Sequence, residues 1–258
     1  MNNIITIGVI GLGNAGAPIL NNLNKSNKYK LVAFDIDSKK LNDVPDNVVK
    51  ATSIKNLAEQ CNVVLTCLPK PEHVLEAVGG EKGLLQNAST GMVWIDTSTT
   101  NFKQTQELAS KASTYGVSML EATLTGGVHA LQNNNMVCLA GGDEDTFKLW
   151  KEVLQDAIGE VVVLCGKVGA GAIAKVVSNM LAFTNMVAAS ECMMIAKKAG
   201  LDLENFFDAI RVSAGNSFAW ETVVPHIFNQ KYESGFTMDL ACKDMNLSYL
   251  LGQDLKVT

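Results

Sequence analysis

Short apolar runs alternate with longer stretches of mixed polarity up to about residue 165 of the chain. Several of these runs are continuous Val, Ile and Leu, which is typical of strands covered on both faces of a sheet. Amphipathic helical patterns separate most of them, so the order of elements predicts an α/β fold with a doubly wound, mostly parallel sheet. The predicted strands are residues 5–10, 30–34, 63–68, 92–95, 117–120, 136–139 and 161–164.

The pattern changes after Gly166, where the strands stop and four helical stretches follow. These are residues 170–198, 203–212, 218–230 and 239–252. The first spans about 43 Å and is apolar on most of its circumference, so we expect it to be buried on several sides. Its methionines, Met180, Met186, Met193 and Met194, are interpreted as flexible core residues.

The length of 258 residues favours two domains. The change of pattern predicts a doubly wound α/β domain over residues 1–165 and an all-helical domain over residues 166–258, opened by the long helix.

Composition excludes several classes of protein. With 47% hydrophobic and 18% charged residues the chain is expected to fold as a globular protein. Its net charge is −5, and no block of basic residues suggests a contact with a nucleic acid backbone. Polar residues such as Asn179 and Glu191 interrupt the long apolar stretch, so the sequence predicts no membrane span.

Six cysteines are scattered along the chain without a CxxC pair or a nearby group of histidines. This spacing signals neither a metal site nor a disulfide framework, and buried thiols in a reducing cytoplasm are expected. The first apolar run follows Met-Asn-Asn without Lys or Arg, unlike a secretory signal. We therefore predict a cytoplasmic protein.

A glycine-rich segment lies between the first predicted strand and a helical pattern. In this context GxGxxG is the pattern of a dinucleotide-binding turn, whose backbone N–H groups and helix dipole hold a pyrophosphate. Its three glycines would permit a tight turn, close approach of the phosphates, and packing of helix on strand. Glycines that merely close a strand-to-helix turn are the alternative. The predicted cofactor-binding residues here are Gly11, Leu12, Gly13, Asn14, Ala15 and Gly16.

Asp35 ends the second predicted strand and can accept both ribose hydroxyls of an adenosine while repelling a 2′-phosphate. No arginine follows in the next turn, although Lys39 and Lys40 keep NADP open as an alternative. The sequence therefore favours NAD as cofactor. Asp37 has another interpretation, as the N-cap of the next helix.

Lys175 and Asn179 lie four residues apart in the long helix, so their side chains share one face. A lysine within an apolar helix needs a partner, and desolvation would lower its pKa toward a range useful for proton transfer. Alternatively, Lys175 extends its amine to the surface.

Six motifs, in order, resemble the β-hydroxyacid dehydrogenase family, which includes 3-hydroxyisobutyrate dehydrogenase. They extend over nearly the whole length of the chain. The motifs are GLGNAGAPILNNL at 11–23, Leu68-Pro69, Asp96-Thr97-Ser98-Thr99, Thr125-Gly126-Gly127, GAGAIAKVVSN at 169–179, and Lys243-Asp244 after Phe236.

The resemblance implies a Rossmann domain and a helical domain, with the active site in the cleft between them. It implies that Lys175 transfers the proton at the substrate oxygen and that Asn179 holds the substrate. Ser98 and the segment Thr125, Gly126 and Gly127 would bind the substrate carboxylate. Leu68, Pro69 and Thr99 would line the nicotinamide, and Lys243 would close over the cofactor.

Several positions depart from the usual family pattern. Ala15 stands where the family commonly has Met, Phe102 where it has Pro, and Thr125 where it has Ser. The additional methyl group of Thr125 is expected to narrow the carboxylate pocket. Glu121-Ala-Thr-Leu-Thr stands for Asp-Ala-Pro-Val-Ser, and Asn133-Asn134-Asn135 occupies a turn that normally contains Gly. Family members continue for one or two more helices after Lys243-Asp244, so a helical domain shortened at its C-terminus is expected.

The resemblance implies an oxidoreductase that transfers a hydride between NAD and a small carboxylate substrate, 3-hydroxyisobutyrate first. Tartronate semialdehyde, succinic semialdehyde and glyoxylate are alternative substrates. An imine reductase is disfavoured because that group commonly lacks the lysine, and a cofactor-binding protein without turnover is the alternative from another class. A homo-oligomer, dimer or tetramer, is expected, with no nucleic acid, membrane or metal partner.

Overall fold

The computed structural model describes residues 4–230 and 236–257. Eight strands form a single sheet in the order β3-β2-β1-β4-β5-β6-β7-β8. All neighbouring strands are parallel except β6 and β7, which pair antiparallel. The strands are β1 Thr6–Ile10, β2 Lys30–Phe34, β3 Val49–Lys50, β4 Val63–Thr66, β5 Val93–Asp96, β6 Ser118–Thr125, β7 Val137–Gly142 and β8 Val162–Gly166.

Helices connect most of the strands and follow the last one. Up to β8 they are α1 Gly16–Ser26, α2 Ile54–Ala58, α3 Pro71–Val74, α4 Phe102–Thr114, α5 Val128–Gln132 and α6 Glu144–Ala157. After β8 come α7 Ala170–Lys198, α8 Leu203–Arg211, α9 Phe218–Phe228 and α10 Met238–Asp254. The predicted α/β sheet followed by an all-helical region is confirmed.

Two hydrophobic clusters cover the two faces of the sheet. Successive residues of a strand point to opposite faces, and in β4 Val63 and Leu65 belong to one cluster while Val64 belongs to the other. All four residues of this strand are buried. Burial on both faces explains why the central strands are continuous apolar runs in the sequence.

The described chain forms two compact units. The first contains the chain up to Lys175 together with the end from Leu251, and the second is Val176–Leu250. The change from strand to helix falls between Gly166 and Ala170, near the predicted boundary, whereas the units divide inside α7. The boundary at residue 165 stays a prediction.

The second unit has a core of its own. Ala189 and Met193 from α7 pack with Trp220 and Val224 from α9. The ring of Trp220 makes an edge contact with Phe206 and stacks on Phe207 at centroid distances of 5.7 and 5.9 Å. Such aromatic contacts contribute more than buried area alone, so they are expected to fix α8 against α9.

The expectation that α7 is buried on several sides is wrong for this chain. Met193 is buried, but Met180 and Met194 are 43% and 55% exposed. Other apolar residues of the helix, such as Leu181 and Ile195, are exposed as well. The reason is that the described chain covers only part of the helix circumference. In the described residues α7 is the one helix long and apolar enough to cross a membrane, a property that core helices share, and 17% of its most apolar window is buried. The absence of a membrane partner stays a prediction.

Asn22 ties α1 to two distant elements. Its side chain is 5% exposed, and its Nδ2 donates to the carbonyls of Leu131, at 2.8 Å, and Ala157, at 3.1 Å. These acceptors end α5 and α6, more than 100 residues later in the chain. The side-chain amide of Asn22 therefore connects α1, the helix after the glycine-rich turn, to α5 and α6.

Candidate active site

The glycine-rich segment forms the turn between β1 and α1. Gly11 has a φ of +93°, and a Cβ there would lie 2.4 Å from the carbonyl oxygen of Cys67. A Cβ on Gly16 would overlap the carbonyl oxygen of Gly11. At Gly13, in contrast, a Cβ would meet no protein atom within 4 Å. Gly11 and Gly16 are therefore required by the fold, whereas Gly13 leaves open space for a ligand.

The first turn of α1 lacks the two common compensating features of a helix N-terminus, a side-chain cap from the N-cap residue and an acidic residue. Ala15 at the N-cap makes no side-chain hydrogen bond to it, and the turn contains no acidic residue. A helix N-terminus of this kind favours an anion. The turn from Gly11 to Gly16 thus fits the pyrophosphate of a dinucleotide, with Asn14 and Gly13 exposed at its tip.

Asp35 lies directly beside this turn. One carboxylate oxygen accepts the N–H of Leu12 at 2.6 Å, and the other accepts the N–H of Asp37 at 2.8 Å. These two bonds fix the carboxylate at the end of β2. Asp37 itself caps the short 3₁₀ helix Ser38–Leu41, as its alternative interpretation predicted.

Leu68 and Ser98 come together from the ends of neighbouring parallel strands. The N–H of Leu68 donates to Ser98 Oγ at 2.9 Å, and the N–H of Ser98 donates to Asp96 Oδ1 at 3.1 Å. Leu68 also borders Gly11, whose Cβ would lie 2.9 Å from its Cδ2. Since Ser98 Oγ accepts from the backbone, its hydroxyl proton can donate to a substrate. Pro69 and Thr99 are the next residues in the two loops.

The predicted carboxylate-binding turn lies where β6 ends and α5 begins. Thr125 is the last residue of β6, and Gly126 and Gly127 follow with φ values of +125° and +91°. A residue with a side chain rarely adopts these angles. A Cβ on Gly127 would meet nothing within 4 Å, so its backbone is open to a ligand.

Lys175 lies in the second turn of α7 and its side chain is 9% exposed. The alternative of an amine extended to the surface is therefore wrong. The turn that precedes it is held by a buried carboxylate: Glu121 accepts the N–H groups of Gly169 at 2.5 Å and Ala172 at 2.8 Å. It also accepts that of Gly171 at 3.3 Å. Burial raises the pKa of Glu121, and these three donors oppose that shift.

The second unit places Asn179 beside the Lys243-Asp244 pair. Asn179 Nδ2 donates to Asp244 Oδ2 at 2.6 Å, and Lys243 Nζ lies 3.0 Å from Asp244 Oδ1. Asp244 is 1% exposed. One buried carboxylate thus orients the amide and partly neutralises the amine, and both Asn179 and Lys243 depend on it for their positions.

Relatives and solved structures match nearly the whole chain. Residues 6–166 match the family model of the NAD binding domain of 6-phosphogluconate dehydrogenase. Residues 169–258 match the model described as NAD-binding of NADP-dependent 3-hydroxyisobutyrate dehydrogenase. Mitochondrial 3-hydroxyisobutyrate dehydrogenase of Homo sapiens is 32% identical over 252 residues, which cover 94% of this chain and 74% of the human protein. The chain belongs to the β-hydroxyacid dehydrogenase family.

Two further matches agree with this assignment to the β-hydroxyacid dehydrogenases. The 2-(hydroxymethyl)glutarate dehydrogenase of Eubacterium barkeri is 29% identical, with 98% of this chain and 84% of that protein covered. A solved structure of Mycobacterium tuberculosis 3-hydroxyisobutyrate dehydrogenase with L-serine is 28% identical and has a TM-score of 0.91. It covers 99% of this chain and 89% of that one. This β-hydroxyacid dehydrogenase is an oxidoreductase that uses a nicotinamide dinucleotide.

Two buried carboxylates, one in each unit, were not predicted as functional residues. In the sequence Glu121 is only a departure from the family's Asp, and Asp244 only the neighbour of Lys243. An acidic residue within the apolar strand β6 was the available signal, because a buried carboxylate requires hydrogen-bond donors. Within the described residues no group of three or more His, Cys, Asp or Glu side chains is arranged to hold a metal ion.

Proposed function

We propose that the enzyme oxidises a small β-hydroxy acid to its semialdehyde with NAD, and that 3-hydroxyisobutyrate is the first candidate. The observation that carries this proposal is the buried Lys175 in α7. Buried ionisable groups are common at catalytic sites, and an alcohol oxidation needs a group that accepts the hydroxyl proton. The human and mycobacterial relatives, both named 3-hydroxyisobutyrate dehydrogenase, support this choice of substrate.

In the proposed reaction Lys175 transfers the proton and Asn179 positions the substrate. NAD, when bound, supplies the hydride acceptor. Lys175 Nζ takes the proton from the substrate hydroxyl as the alcohol carbon is oxidised, and it returns a proton in the reverse direction. Asn179, oriented by Asp244, holds the reacting oxygen. These roles require Lys175 to be neutral when it accepts the proton.

The substrate carboxylate is assigned to two groups of donors. The hydroxyl proton of Ser98 remains available because its oxygen already accepts the N–H of Leu68. Gly126 and Gly127 offer backbone N–H groups, and Thr125 adds a hydroxyl at the end of β6. Several such donors bind an anionic group more strongly than a neutral one.

NAD is proposed over NADP because of Asp35. Each of its oxygens accepts one backbone N–H and keeps a further lone pair for a ribose hydroxyl. The same negative charge would repel a 2′-phosphate. A fluorescence titration should therefore show tighter binding of NADH than of NADPH, and Asp35→Ala should reduce the difference. Tighter binding of NADPH by the wild type would contradict the proposal.

The substrate is tested with a panel of short hydroxy acids and semialdehydes, following the absorbance of the reduced cofactor. We expect the highest kcat/KM for the oxidation of 3-hydroxyisobutyrate with NAD, above the values for the reduction of tartronate semialdehyde, succinic semialdehyde and glyoxylate with NADH. A higher value for one of these would reassign the substrate. Cofactor binding without turnover of any compound would support the cofactor-binding protein instead.

We also propose a homo-oligomer, supported by the exposed apolar side chains of α7. Leu181, Val187 and Ile195 are each at least 60% exposed, and contiguous apolar surface often marks an interface. Light scattering coupled to size-exclusion chromatography should give a mass of at least twice 27.6 kDa. A monomer at micromolar concentration would contradict this.

A reducing compartment, the cytoplasm, is the proposed location. All six cysteines are free, and free thiols persist where glutathione keeps them reduced. The expectation that they are buried is wrong for three of them, since Cys165, Cys192 and Cys242 are exposed. The human relative is named as mitochondrial. Fractionation of the source cells tests the assignment, since recovery of the enzyme from another compartment would contradict it.

A further inference from the structure

Strand β6 holds the turn of α7 that precedes Lys175. Glu121, 2% exposed, accepts the N–H groups of Gly169, Gly171 and Ala172. Thr123, two residues later on the same face of the strand, shares its one hydroxyl proton between the carbonyls of Leu139 at 2.9 Å and Gly171 at 3.2 Å. Strand β6 therefore fixes both the N–H and the carbonyl group of Gly171.

This carbonyl is also part of the helix itself. In the i→i−4 pattern of an α-helix, the carbonyl of Gly171 accepts the N–H of Lys175. A chain of hydrogen bonds thus runs from β6 through Gly171 to the backbone of the lysine. Ala172, which donates to Glu121 Oε1, lies one helical turn before Lys175.

The space for this arrangement is made by two glycines. Gly141 pairs with Glu121 across β6 and β7, and a Cβ on it would lie 2.1 Å from Glu121 Oε2. A Cβ on Gly171 would lie 3.0 Å from the Cβ of Glu121. The backbone of α7 can therefore approach the sheet closely enough for direct bonds to the carboxylate.

We propose that Glu121 and Thr123 are positioning residues that hold Lys175 at a fixed distance from the carboxylate-binding turn at the end of β6. Thr125, the third residue on this strand face, begins that turn. One strand consequently sets both the place of the proton acceptor and the place of the substrate anion. The inference rests on the proposed function, since it assigns these two roles to Lys175 and Thr125.

The first test compares kcat and KM of Glu121→Gln and Thr123→Val with those of the wild type, well below the melting temperature of each variant. Because misplacement of a catalytic group by about 1 Å can cost on the order of 100-fold, Glu121→Gln should lower kcat roughly 10- to 100-fold. Thr123→Val should lower kcat less, and Thr123→Ser, which keeps the donor, should restore it. The dissociation constant of NADH should not change.

A matched control removes a carboxylate cap from another helix. Asp143 caps α6 by accepting the N–H and hydroxyl of Thr146, so Asp143→Ala should lower stability by about 1 kcal/mol without lowering kcat. A kcat of Glu121→Gln equal to that of Asp143→Ala would overturn the proposal, because the role of Glu121 would then be structural only.

The second test asks whether the effect passes through Lys175. In a Lys175→Ala background, Glu121→Gln should reduce the residual turnover no further, whereas a fully multiplicative loss would overturn the proposal. A readout without turnover is the pH dependence of Lys175 acetylation by acetic anhydride, followed by mass spectrometry. Its midpoint should shift in Glu121→Gln, while that of the exposed Lys197 stays constant.

The two tests separate this inference from the proposed function. A shifted acetylation midpoint in an enzyme without turnover on the substrate panel would support the positioning of Lys175 and refute the function. Turnover of the substrate panel by the wild type, together with an unshifted midpoint and an unchanged kcat in Glu121→Gln, would support the function and refute the positioning of Lys175.

Discussion

Lys175→Ala should lower kcat by roughly two to four orders of magnitude, because general acid–base catalysis contributes about that much. The affinity for NADH should remain nearly unchanged, since the expected contacts to the cofactor come from Gly11–Gly16 and Asp35 rather than from this amine. Steady-state kinetics and a fluorescence titration measure the two quantities. Near-normal turnover in the variant would show that the mechanism is wrong.

Two further variants separate proton transfer from charge. Lys175→Arg keeps a positive charge but cannot release its proton near neutral pH, so its kcat should remain close to that of Lys175→Ala. Lys197→Ala removes an exposed lysine near the end of the same helix and should leave kcat unchanged. If arginine restored activity, the role of Lys175 would be electrostatic.

Gly13→Ala should weaken NADH binding tenfold or more, equivalent to about 1.4 kcal/mol, without changing the melting temperature. The added methyl group meets no protein atom within 4 Å, and so it can interfere only with a bound ligand. Fluorescence titration and thermal unfolding measure the two effects. If the affinity for NADH were unchanged, the turn from Gly11 to Gly16 would not be the pyrophosphate site.

Gly16→Ala is the matched comparison, because it adds the same methyl group at a crowded position. There the Cβ would overlap the carbonyl oxygen of Gly11, and the backbone must move. We expect a loss of stability of about 1–3 kcal/mol, measured by urea unfolding, together with weaker cofactor binding. Equal stability of the two variants would contradict the structural distinction between Gly13 and Gly16.

The sequence predicted the order of elements well where each pattern is local. The long helix begins and ends at the predicted residues, Ala170 and Lys198, and β2 also agrees. Strand β3 was missed because it consists of two exposed residues, which leave no apolar run. Strand β6 continues to Thr125, beyond its predicted end, because its polar residues bond across to neighbouring elements.

The candidate site was predictable in its glycine turn and its lysine, because both depend on short-range spacing. Its supporting carboxylates were not. Glu121 bonds to residues about 50 positions away, and Asp244 bonds to Asn179 across 65 positions. Pairs so far apart in the chain produce no local sequence pattern from which they could be predicted. The exposure of Met180 and Met194 was equally hidden, since an apolar helix face looks the same in sequence whichever neighbour covers it.

The buried amide of Asn22 makes the sheet one cooperative unit. Its two acceptors, the carbonyls of Leu131 and Ala157, belong to helices that come long after the glycine-rich turn in the chain. A fragment that ended before α6 would keep the carbonyl of Leu131 but lose that of Ala157, and a buried donor left unsatisfied costs about 1–3 kcal/mol. A piece of the chain that keeps both bonds must extend past Ala157, so we expect the first strands of the sheet to gain stability only when the later helices are present.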